Sequence, residues 1–264
     1  MLIQGDCLEE MKNIETNSID LLFCDLPYGQ TQCKWDCLID LDLFWKQVNR
    51  ICKERTPMFF TCSTKFGVSL INSNPKNFRY DLVWIKSAPC GFLNAKKMPM
   101  KKHEMVYVFY KKLPLYDLSS HTHKCIKEKE ETLITTTLYS DKKGVPRQVY
   151  RAEEGKYDPP LPTSVVREGC YHKDVIRTND SAYDPPLPNS LLEIKSEKGK
   201  HPTQKPTALV EWCLKYYSKE GDTVLDPTMG SGSTGVACKN LNRQFIGIEQ
   251  DEKIFQVAQS RIEL

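Results

Sequence analysis

Short apolar runs alternate with a segment of helical periodicity in the first part of the chain. The runs predict strands at residues 19–24, 57–62, 80–85 and 105–110, and apolar residues at helical spacing predict a helix at residues 41–52. Strands that are apolar along their whole length are typical of a parallel sheet buried on both faces. The alternation therefore favours an α/β fold with a mostly parallel sheet and helices on both faces.

The last part of the chain, residues 201–264, has the most regular pattern. A helix is predicted at residues 207–218, with Pro206 directly before its first turn. The remaining pattern predicts, in order, a strand at 222–226, a helix at 236–241, a strand at 243–249 and a helix at 252–262. This part is therefore expected to form one βαβα unit.

The middle of the chain, residues 113–200, is polar and rich in turn-forming residues. The sequence Tyr-Asp-Pro-Pro-Leu-Pro occurs twice there, at residues 157–162 and 183–188. Proline fixes φ and removes a hydrogen-bond donor, so both copies are expected to be extended loop. The chain is thus expected to have three parts, residues 1–112, 113–200 and 201–264.

Composition adds little to this picture beyond excluding some protein classes. Hydrophobic residues make up 40% of the chain and charged residues 27%, as in ordinary globular proteins. No apolar run is long enough for a membrane span, and the first residues lack the pattern of a signal peptide. A cytoplasmic location without a membrane partner is therefore the expectation.

The 11 cysteines include no CxxC pair, so reduced thiols are favoured over a disulfide framework. Histidines and cysteines also occur near each other in the middle of the chain, but their spacing matches no standard zinc pattern. The residues in question are His121, His123, Cys125, Cys170 and His172. No metal is predicted.

Basic residues are concentrated in one stretch. Residues 86–112 contain seven lysines and one acidic residue, Glu104, although the net charge of the whole chain is only +3. Such a stretch can contact the phosphates of a nucleic acid, or it can be a solvated surface. The candidate phosphate contacts are Lys96, Lys97, Lys101 and Lys102.

A glycine-rich turn separates the predicted strand at 222–226 from the following helix. Strand, tight glycine turn and helix is an arrangement that lets the main chain approach a nucleotide-like ligand. Asp226 ends the strand and would repel a pyrophosphate but attract a cation, and Glu249 ends the next strand, where an acid reaches ribose hydroxyls. A plain packing turn is the alternative. The candidate ligand-binding residues are Asp226, Pro227, Thr228, Gly230, Ser231, Gly232, Glu249 and Gln250.

The predicted strand at 19–24 ends in Asp25, Leu26, Pro27 and Tyr28, which form the candidate catalytic segment. An aryl amine is a poor nucleophile because its lone pair is delocalised into the ring. The Asp25 carboxylate can accept one N–H of such an amine and the Leu26 carbonyl the other, which favours a pyramidal nitrogen. Tyr28 can stack on the aromatic ring that carries the amine, and Pro27 fixes the turn before the substrate arrives. Taken alone, the segment could also be an ordinary turn after a strand.

Together these residues resemble the amino-methylating DNA methyltransferases, which make N6-methyladenine or N4-methylcytosine. The order of the segments, catalytic first and cofactor-binding last, resembles the permuted beta class, and the resemblance covers nearly the whole chain except about residues 113–195. It implies a Rossmann-like S-adenosylmethionine-dependent methyltransferase fold. Residues 1–112 would be its catalytic half, 113–200 an inserted target-recognition region and 201–264 its cofactor-binding half.

The resemblance implies further cofactor contacts. Asp6 and Cys7 resemble the site of the cofactor's adenine amino group, and Asp25 would also border the cofactor. In the segment that begins at His201, Thr203 and Lys205 would hold the methionine carboxylate. Other segments resemble phage-like members, namely Trp35-Asp36, residues 91–95 and Lys102-His103-Glu104.

Two positions depart from the family pattern. Leu26 replaces the more usual proline, which leaves the backbone acceptor in place. Thr228 stands where many members have a phenylalanine that packs on the adenine, which bears on cofactor affinity.

The function implied is methyl transfer from S-adenosylmethionine to adenine N6 in double-stranded DNA, with N4 of cytosine as the alternative. RNA or a protein glutamine would be another substrate for the same fold, although glutamine methyltransferases place the cofactor segment first. A catalytically silent DNA- or cofactor-binding protein is the third reading. A homodimer, a role in restriction–modification and a bacterial or phage-host cytoplasm accord with the resemblance.

Overall fold

The computed structural model describes residues 1–29, 38–90, 101–117, 119, 122–123, 157–158, 191–197 and 204–263. The strands are β1 (Leu2–Gln4), β2 (Leu21–Cys24), β3 (Met58–Cys62), β4 (Phe78–Cys90), β5 (Lys101–Phe109), β6 (Thr122–His123), β7 (Tyr157–Asp158), β8 (Leu191–Glu193), β9 (Thr223–Asp226) and β10 (Gln244–Glu249). The helices are α1 (Cys7–Glu10), α2 (Leu41–Ile51), α3 (Thr64–Ser73), α4 (Thr207–Tyr217), α5 (Ser233–Asn240) and α6 (Glu252–Glu263), with a short 3-10 helix at Met11–Asn13.

Eight strands form one sheet in the order β1-β10-β9-β2-β3-β5-β4-β8. All neighbouring pairs are parallel except β3–β5 and β4–β5. The prediction of a mostly parallel sheet is therefore confirmed. Because β5 is antiparallel, its first residues lie at the same edge of the sheet as the carboxyl ends of β2, β3, β9 and β10.

Two apolar layers enclose the sheet because residues alternate between its faces along each strand. On β2, Leu21 and Phe23 pack in the layer that contains residues of α4, α5 and α6. Leu22 and Cys24 pack in the other layer, which contains residues of α2 and α3. Helices thus cover both faces, as the alternating pattern predicted.

Most predicted elements form with small shifts of their ends. The predicted helix at 236–241 begins earlier, since α5 spans Ser233–Asn240. The predicted strand at 80–85 lies within the longer β4, and β5 begins four residues before the predicted strand at 105–110 and ends one residue before its end. Helix α3 was not predicted. Its residue Gly67 faces the ring of Tyr107, where an added Cβ would come within 2.1 Å of the ring, so a close helix–sheet contact interrupts the apolar pattern.

The predicted middle part, residues 113–200, is described at only a few places. Strand β8 pairs with β4, and the backbone of β6 pairs with that of β7, which holds the start of the first proline-rich repeat. The rest of both repeats and the side chains of the histidine–cysteine group lie outside the described residues. Within the described part, no three potential metal-binding side chains cluster.

The six cysteines whose state is described, Cys7, Cys24, Cys52, Cys62, Cys213 and Cys238, are free and buried, as expected for reduced thiols. No helix in the described part of the chain is long and apolar enough to cross a membrane.

Candidate active site

The predicted site residues meet at one edge of the sheet. Asp25 follows β2, Asp226 ends β9 and Glu249 ends β10. Strands β2, β9 and β10 are parallel and adjacent, so their carboxyl ends lie side by side. Ligands of open α/β sheets bind in the crevice at this edge.

The turn after β9 is held against β10 by its backbone. The Met229 amide donates to the Ile248 carbonyl at 2.9 Å. Gly230 and Gly232 both have positive φ, 51° and 81°, a conformation that favours glycine. A Cβ added at Gly230 would have no heavy atom within 4 Å, whereas one at Gly232 would lie 3.0 Å from Ala258. Gly230 therefore leaves open space on the crevice side, and Gly232 permits close packing on α6.

Asp226 is buried beneath this turn, with 4% of its surface exposed. Its Oδ2 atom accepts a hydrogen bond from the Thr234 hydroxyl at 2.5 Å, and its Oδ1 atom accepts one from the Thr228 amide at 3.1 Å. Burial raises the pKa of Asp226 to about 7, although both hydrogen bonds act in the opposite direction. A buried carboxylate of this kind is stabilised by a cation.

Glu249 connects the glycine turn to the start of α6. Its Oε2 atom accepts from the Gly230 amide at 3.0 Å, and its Oε1 atom accepts from the Asp251 amide at 2.8 Å. Burial raises the pKa of Glu249. A carboxylate has about four acceptor positions, so Glu249 can still accept a hydrogen bond from a hydroxyl group of a ligand.

Asp6 and Cys7 lie beside Glu249 at the end of β1. The Gly5 amide donates to the Glu249 carbonyl at 3.0 Å. Asp6 caps α1 through its Oδ1 atom, which accepts from the amides of Leu8 and Glu9. Burial raises the pKa of the Cys7 thiol to about 12, so it remains neutral.

The outer side of the glycine turn is fixed by side chains from two other segments. The Ser231 hydroxyl donates to Gln204 Oε1 at 3.3 Å, and the Arg261 guanidinium donates to Ser231 Oγ at 3.0 Å. The Gln204 amide in turn donates to Glu197 at 3.0 Å. The turn is therefore held between α6 and the segment that precedes α4.

Asp25 is the acceptor of three side-chain hydrogen bonds. Its Oδ1 atom accepts from the hydroxyls of Tyr28 and Thr61, at 2.5 and 2.6 Å, and its Oδ2 atom accepts from the Lys205 ammonium at 2.5 Å. About a quarter of the Asp25 side chain, 27%, is exposed. The carboxylate is thus rigidly held but still open to the crevice.

Tyr28 lies across the same network. Besides Asp25 Oδ1, its hydroxyl is near the Thr61 carbonyl at 2.8 Å and Glu104 Oε1 at 3.1 Å. Burial, followed by the charges of Asp25 and Glu104, raises the pKa of Tyr28 well above its ordinary value, so the hydroxyl stays protonated. Its ring packs against Phe66 with 5.4 Å between the centroids.

Lys205 lies between two carboxylates. Its ammonium contacts Asp25 at 2.5 Å and Glu104 at 3.3 Å, and 12% of the side chain is exposed. Burial lowers the pKa of Lys205, but Asp25 and Glu104 outweigh it and raise the pKa to about 12. The resemblance assigned Lys205 to the cofactor's carboxylate. An ammonium has three donor hydrogens, so contacts to Asp25 and Glu104 leave one for such a ligand.

One hydrogen bond connects the catalytic segment to the glycine turn. The Thr228 hydroxyl donates to the backbone carbonyl of Asp25 at 3.1 Å, and Cys24 Sγ lies 3.4 Å from the same hydroxyl. Thr228, which departs from the family pattern, therefore fixes the spacing of the two turns.

The predicted basic residues are only partly described. Lys101 and Lys102 are exposed at the start of β5, on the same edge of the sheet as Asp25. Lys96, Lys97, His201 and Thr203 lie outside the described residues.

Sequence reasoning did not assign Thr61, Lys86, Glu104, Thr234 or Arg261 to the site. Glu104 had a visible signal, because it is the only acidic residue in the basic stretch 86–112. Thr61 and Thr234 had none, since a threonine near a strand end or helix start is common.

A family model for DNA methylases, N6_N4_Mtase, matches residues 19–260. Among curated proteins, the type II methyltransferase M.HinfI of Haemophilus influenzae is 26% identical over an alignment of 290 positions, which covers 99% of this chain and 67% of that protein. M2.DpnII of Streptococcus pneumoniae is 46% identical over 71 residues, about a quarter of either chain (27% and 26%).

Solved structures share the fold. M1.HpyAVI, in a complex with S-adenosylmethionine, has a TM-score of 0.58 at 24% identity, with 99% of this chain and 98% of that chain covered. The cytosine-N4-specific PvuII DNA methyltransferase has a TM-score of 0.63 at 16% identity, with coverage of 98% and 85%.

Proposed function

The chain belongs to the DNA methylase family whose model matches it, and on that premise we propose that it transfers a methyl group from S-adenosylmethionine to N6 of adenine in double-stranded DNA. The class of enzyme follows from the family: a DNA methyltransferase that acts on exocyclic amino nitrogens. The choice of adenine is the proposal. It rests on aspartate at the first position of the catalytic segment, where the cytosine enzymes that this chain resembles often have serine.

The observation that supports methyl transfer at this site is the junction of the two turns. Asp25 follows β2, and the glycine turn follows the neighbouring strand β9, with the hydrogen bond from Thr228 to the Asp25 carbonyl between them. A ligand bound on the glycine turn would therefore lie next to Asp25. Methyl transfer needs this juxtaposition of donor site and acceptor site.

The residues of the glycine turn fit S-adenosylmethionine. The open space at Gly230 admits a ligand against the main chain. The buried Asp226 carboxylate has no cationic partner among its described hydrogen bonds, and it suits a ligand with an amino group. Glu249 has acceptor positions left for ribose hydroxyls. When bound, the cofactor supplies an electrophilic methyl group on a sulfonium.

Asp25 and Leu26 would prepare the amino nitrogen for attack. Three donors occupy three of the about four acceptor positions of the Asp25 carboxylate. One position on Oδ2 remains, and it can accept an N–H of the base, while the Leu26 carbonyl accepts the second N–H. Because the Lys205 ammonium faces Oδ2, the carboxylate is stabilised as an acceptor before the base arrives.

The target base must leave the helix to reach Asp25, because the edge of a stacked base is not accessible there. The ring of Tyr28 is held by its hydroxyl and by Phe66. We assign to it the stacking surface for the flipped base. The amino group at N4 of cytosine offers the same two N–H donors, so cytosine is the second candidate for this site.

Single-molecule sequencing of DNA from cells that express the protein tests this assignment. We expect N6-methyladenine in one sequence context, absent from cells that express Asp25→Ala. N4-methylcytosine in place of N6-methyladenine would overturn the choice of base. No modified base at all, with folded protein present, would favour a silent binding protein.

Cofactor binding should depend on pH through Asp226. Its pKa is about 7, so in the free protein the carboxylate is protonated below that pH and has no charge for a cation. Affinity for S-adenosylhomocysteine should therefore rise between about pH 6 and about pH 8, by up to about tenfold per pH unit below the pKa. Titration calorimetry over this range measures it. Asp226→Asn should remove the dependence, and an equally steep rise in that variant would assign it to another group.

Lys101 and Lys102 should contribute to DNA affinity through phosphate contacts. Replacing both with alanine should weaken binding to any DNA sequence and reduce the slope of log affinity against log salt by about one per lysine. Fluorescence anisotropy with labelled duplex DNA at several salt concentrations measures this slope. Lys76→Ala is the matched control. Lys76 is exposed just before the first residue of β4, whereas Lys101 pairs with the last residue of that strand. An unchanged slope in the double variant would exclude these phosphate contacts.

A further inference from the structure

The Glu104 carboxylate contacts three side chains in and around the catalytic segment. It is 7% exposed, on β5. Its Oε1 atom lies 3.1 Å from the Tyr28 hydroxyl and 3.3 Å from the Lys205 ammonium, and its Oε2 atom lies 2.6 Å from the Lys86 ammonium. Every side chain that fixes Asp25, except that of Thr61, is therefore also in contact with Glu104.

The charges alternate along this row of side chains. Lys86, Glu104, Lys205 and Asp25 follow one another with contacts of 2.6, 3.3 and 2.5 Å. Burial alone would raise the pKa of Glu104, but the ammonium groups of Lys205 and Lys86 lower it to about 2. Glu104 is thus ionised at neutral pH, and the four charges cancel.

Lys86 is itself held in place. It lies on β4 above the ring of Trp84, with 5.1 Å between the ammonium and the ring centroid. The Trp84 indole donates to the Ile194 carbonyl at 2.9 Å, so the segment after β8 supports the ring. The row of charges therefore begins at a side chain supported by the sheet.

Buried ion pairs are seldom retained for stability, because desolvation offsets much of their attraction. A partly buried row of four charges next to an open acceptor position suggests another use. Asp25 can present its free position on Oδ2 in one orientation only if Lys205, which occupies the other position, stays fixed. Glu104 is the group that counters the charge of Lys205 on the side away from Asp25.

We propose that Glu104, anchored by Lys86, is a positioning residue of the active site that holds Lys205 against Asp25. The proposal rests on the proposed function for its kinetic consequence, but the positioning itself is a property of the folded protein. Glu104 would not touch the base or the cofactor. It would act through Lys205.

The test compares Glu104→Gln, which keeps the shape but removes the charge, with the wild-type enzyme at saturating DNA and S-adenosylmethionine. We expect kcat to fall by about 10²-fold, as for a group misplaced by an ångström, with KM for DNA nearly unchanged. Glu54→Gln is the matched control, because Glu54 pairs with Lys112 on the surface at 2.7 Å. It should leave kcat unchanged.

A second readout separates positioning from a general effect on stability and does not require activity. The groups that face Lys205 are Asp25 and Glu104, with the neutral Tyr28 and Cys62 nearby. Removing the charge of Glu104 leaves burial opposed by Asp25 alone, so the pKa of Lys205 should fall from about 12. NMR titration of ¹³C-labelled lysine measures this, with the Lys205 signal assigned by its loss in Lys205→Met. The pH at which kcat declines on the alkaline side of its pH profile should fall as well.

Lys86→Met and Lys86→Arg keep the proposal testable if Glu104→Gln folds poorly. We expect Lys86→Met to lower kcat about tenfold, as when a supporting partner of an active group is removed, and Lys86→Arg to restore most of it. A Glu104→Gln enzyme with kcat within about twofold of wild type, or an unchanged Lys205 titration, would overturn the proposal. An inactive wild-type protein with a shifted Lys205 titration would contradict the proposed function and leave the positioning supported.

Discussion

Asp25→Ala should lower kcat for methyl transfer by about 10³-fold, because it removes the acceptor that prepares the amino nitrogen. The carboxylate accepts the hydroxyls of Tyr28 and Thr61 and the ammonium of Lys205, and its remaining position faces the crevice. Affinity for S-adenosylhomocysteine should change little, because the glycine turn after β9 stays intact. Transfer of a tritiated methyl group to duplex DNA, with calorimetry of cofactor binding, measures both quantities.

Asp42→Ala is the control for this variant. Asp42 is exposed in the first turn of α2 and has no place in the site. Its kcat for methyl transfer and its affinity for S-adenosylhomocysteine should equal those of wild type. Activity of Asp25→Ala within about tenfold of wild type would remove Asp25 from the catalytic role.

Asp226→Ala should weaken S-adenosylhomocysteine binding by about 100-fold, since a charge-assisted hydrogen bond in a buried site is lost. The side chain ends β9 and is fixed by Thr234 and the Thr228 amide. Titration calorimetry at about pH 8, where the carboxylate is ionised, gives the largest difference. Glu220→Ala, on the exposed loop before β9, is the control and should bind as wild type does.

Asp226→Asn distinguishes a binding role from a structural one. The folded pKa of Asp226, about 7, lies above its ordinary value of 3.8. A carboxyl group with a raised pKa stabilises the fold at low pH, and that stability is lost as the pH rises through the folded pKa. At about pH 8 the asparagine variant should therefore melt no lower than wild type while it binds the cofactor more weakly. A lower melting temperature with unchanged affinity would make Asp226 a structural residue.

The sequence predicted those parts of the fold that local pattern determines. Strand β2 is a continuous apolar run, and an acidic residue ends each of the strands β9 and β10. The pattern therefore predicted the type of these elements and their order along the chain. Helix α3 was missed because Gly67 interrupts its apolar face, where the close contact with Tyr107 requires a glycine.

The candidate site was predictable where its residues lie at strand ends, as Asp25, Asp226 and Glu249 do. The contacts of Lys205 were not predictable, because its pairing with Asp25 spans 180 residues and depends on the packing of the segment before α4. The role of Glu104 depends likewise on the antiparallel direction of β5, which places its first residues at the active edge. No local pattern gives the direction of a strand.

The chemical identity of the product tests the proposed function most directly. Purified protein would be incubated with duplex DNA and S-adenosylmethionine that carries a deuterated methyl group, and the digested nucleosides would be identified by mass spectrometry. We expect deuterated N6-methyl-2′-deoxyadenosine from wild type and about 10³-fold less of it, at equal enzyme and time, from Asp25→Ala. A deuterated methyl group on N4 of cytosine, on a ring carbon, or on no base at all would contradict the proposed function.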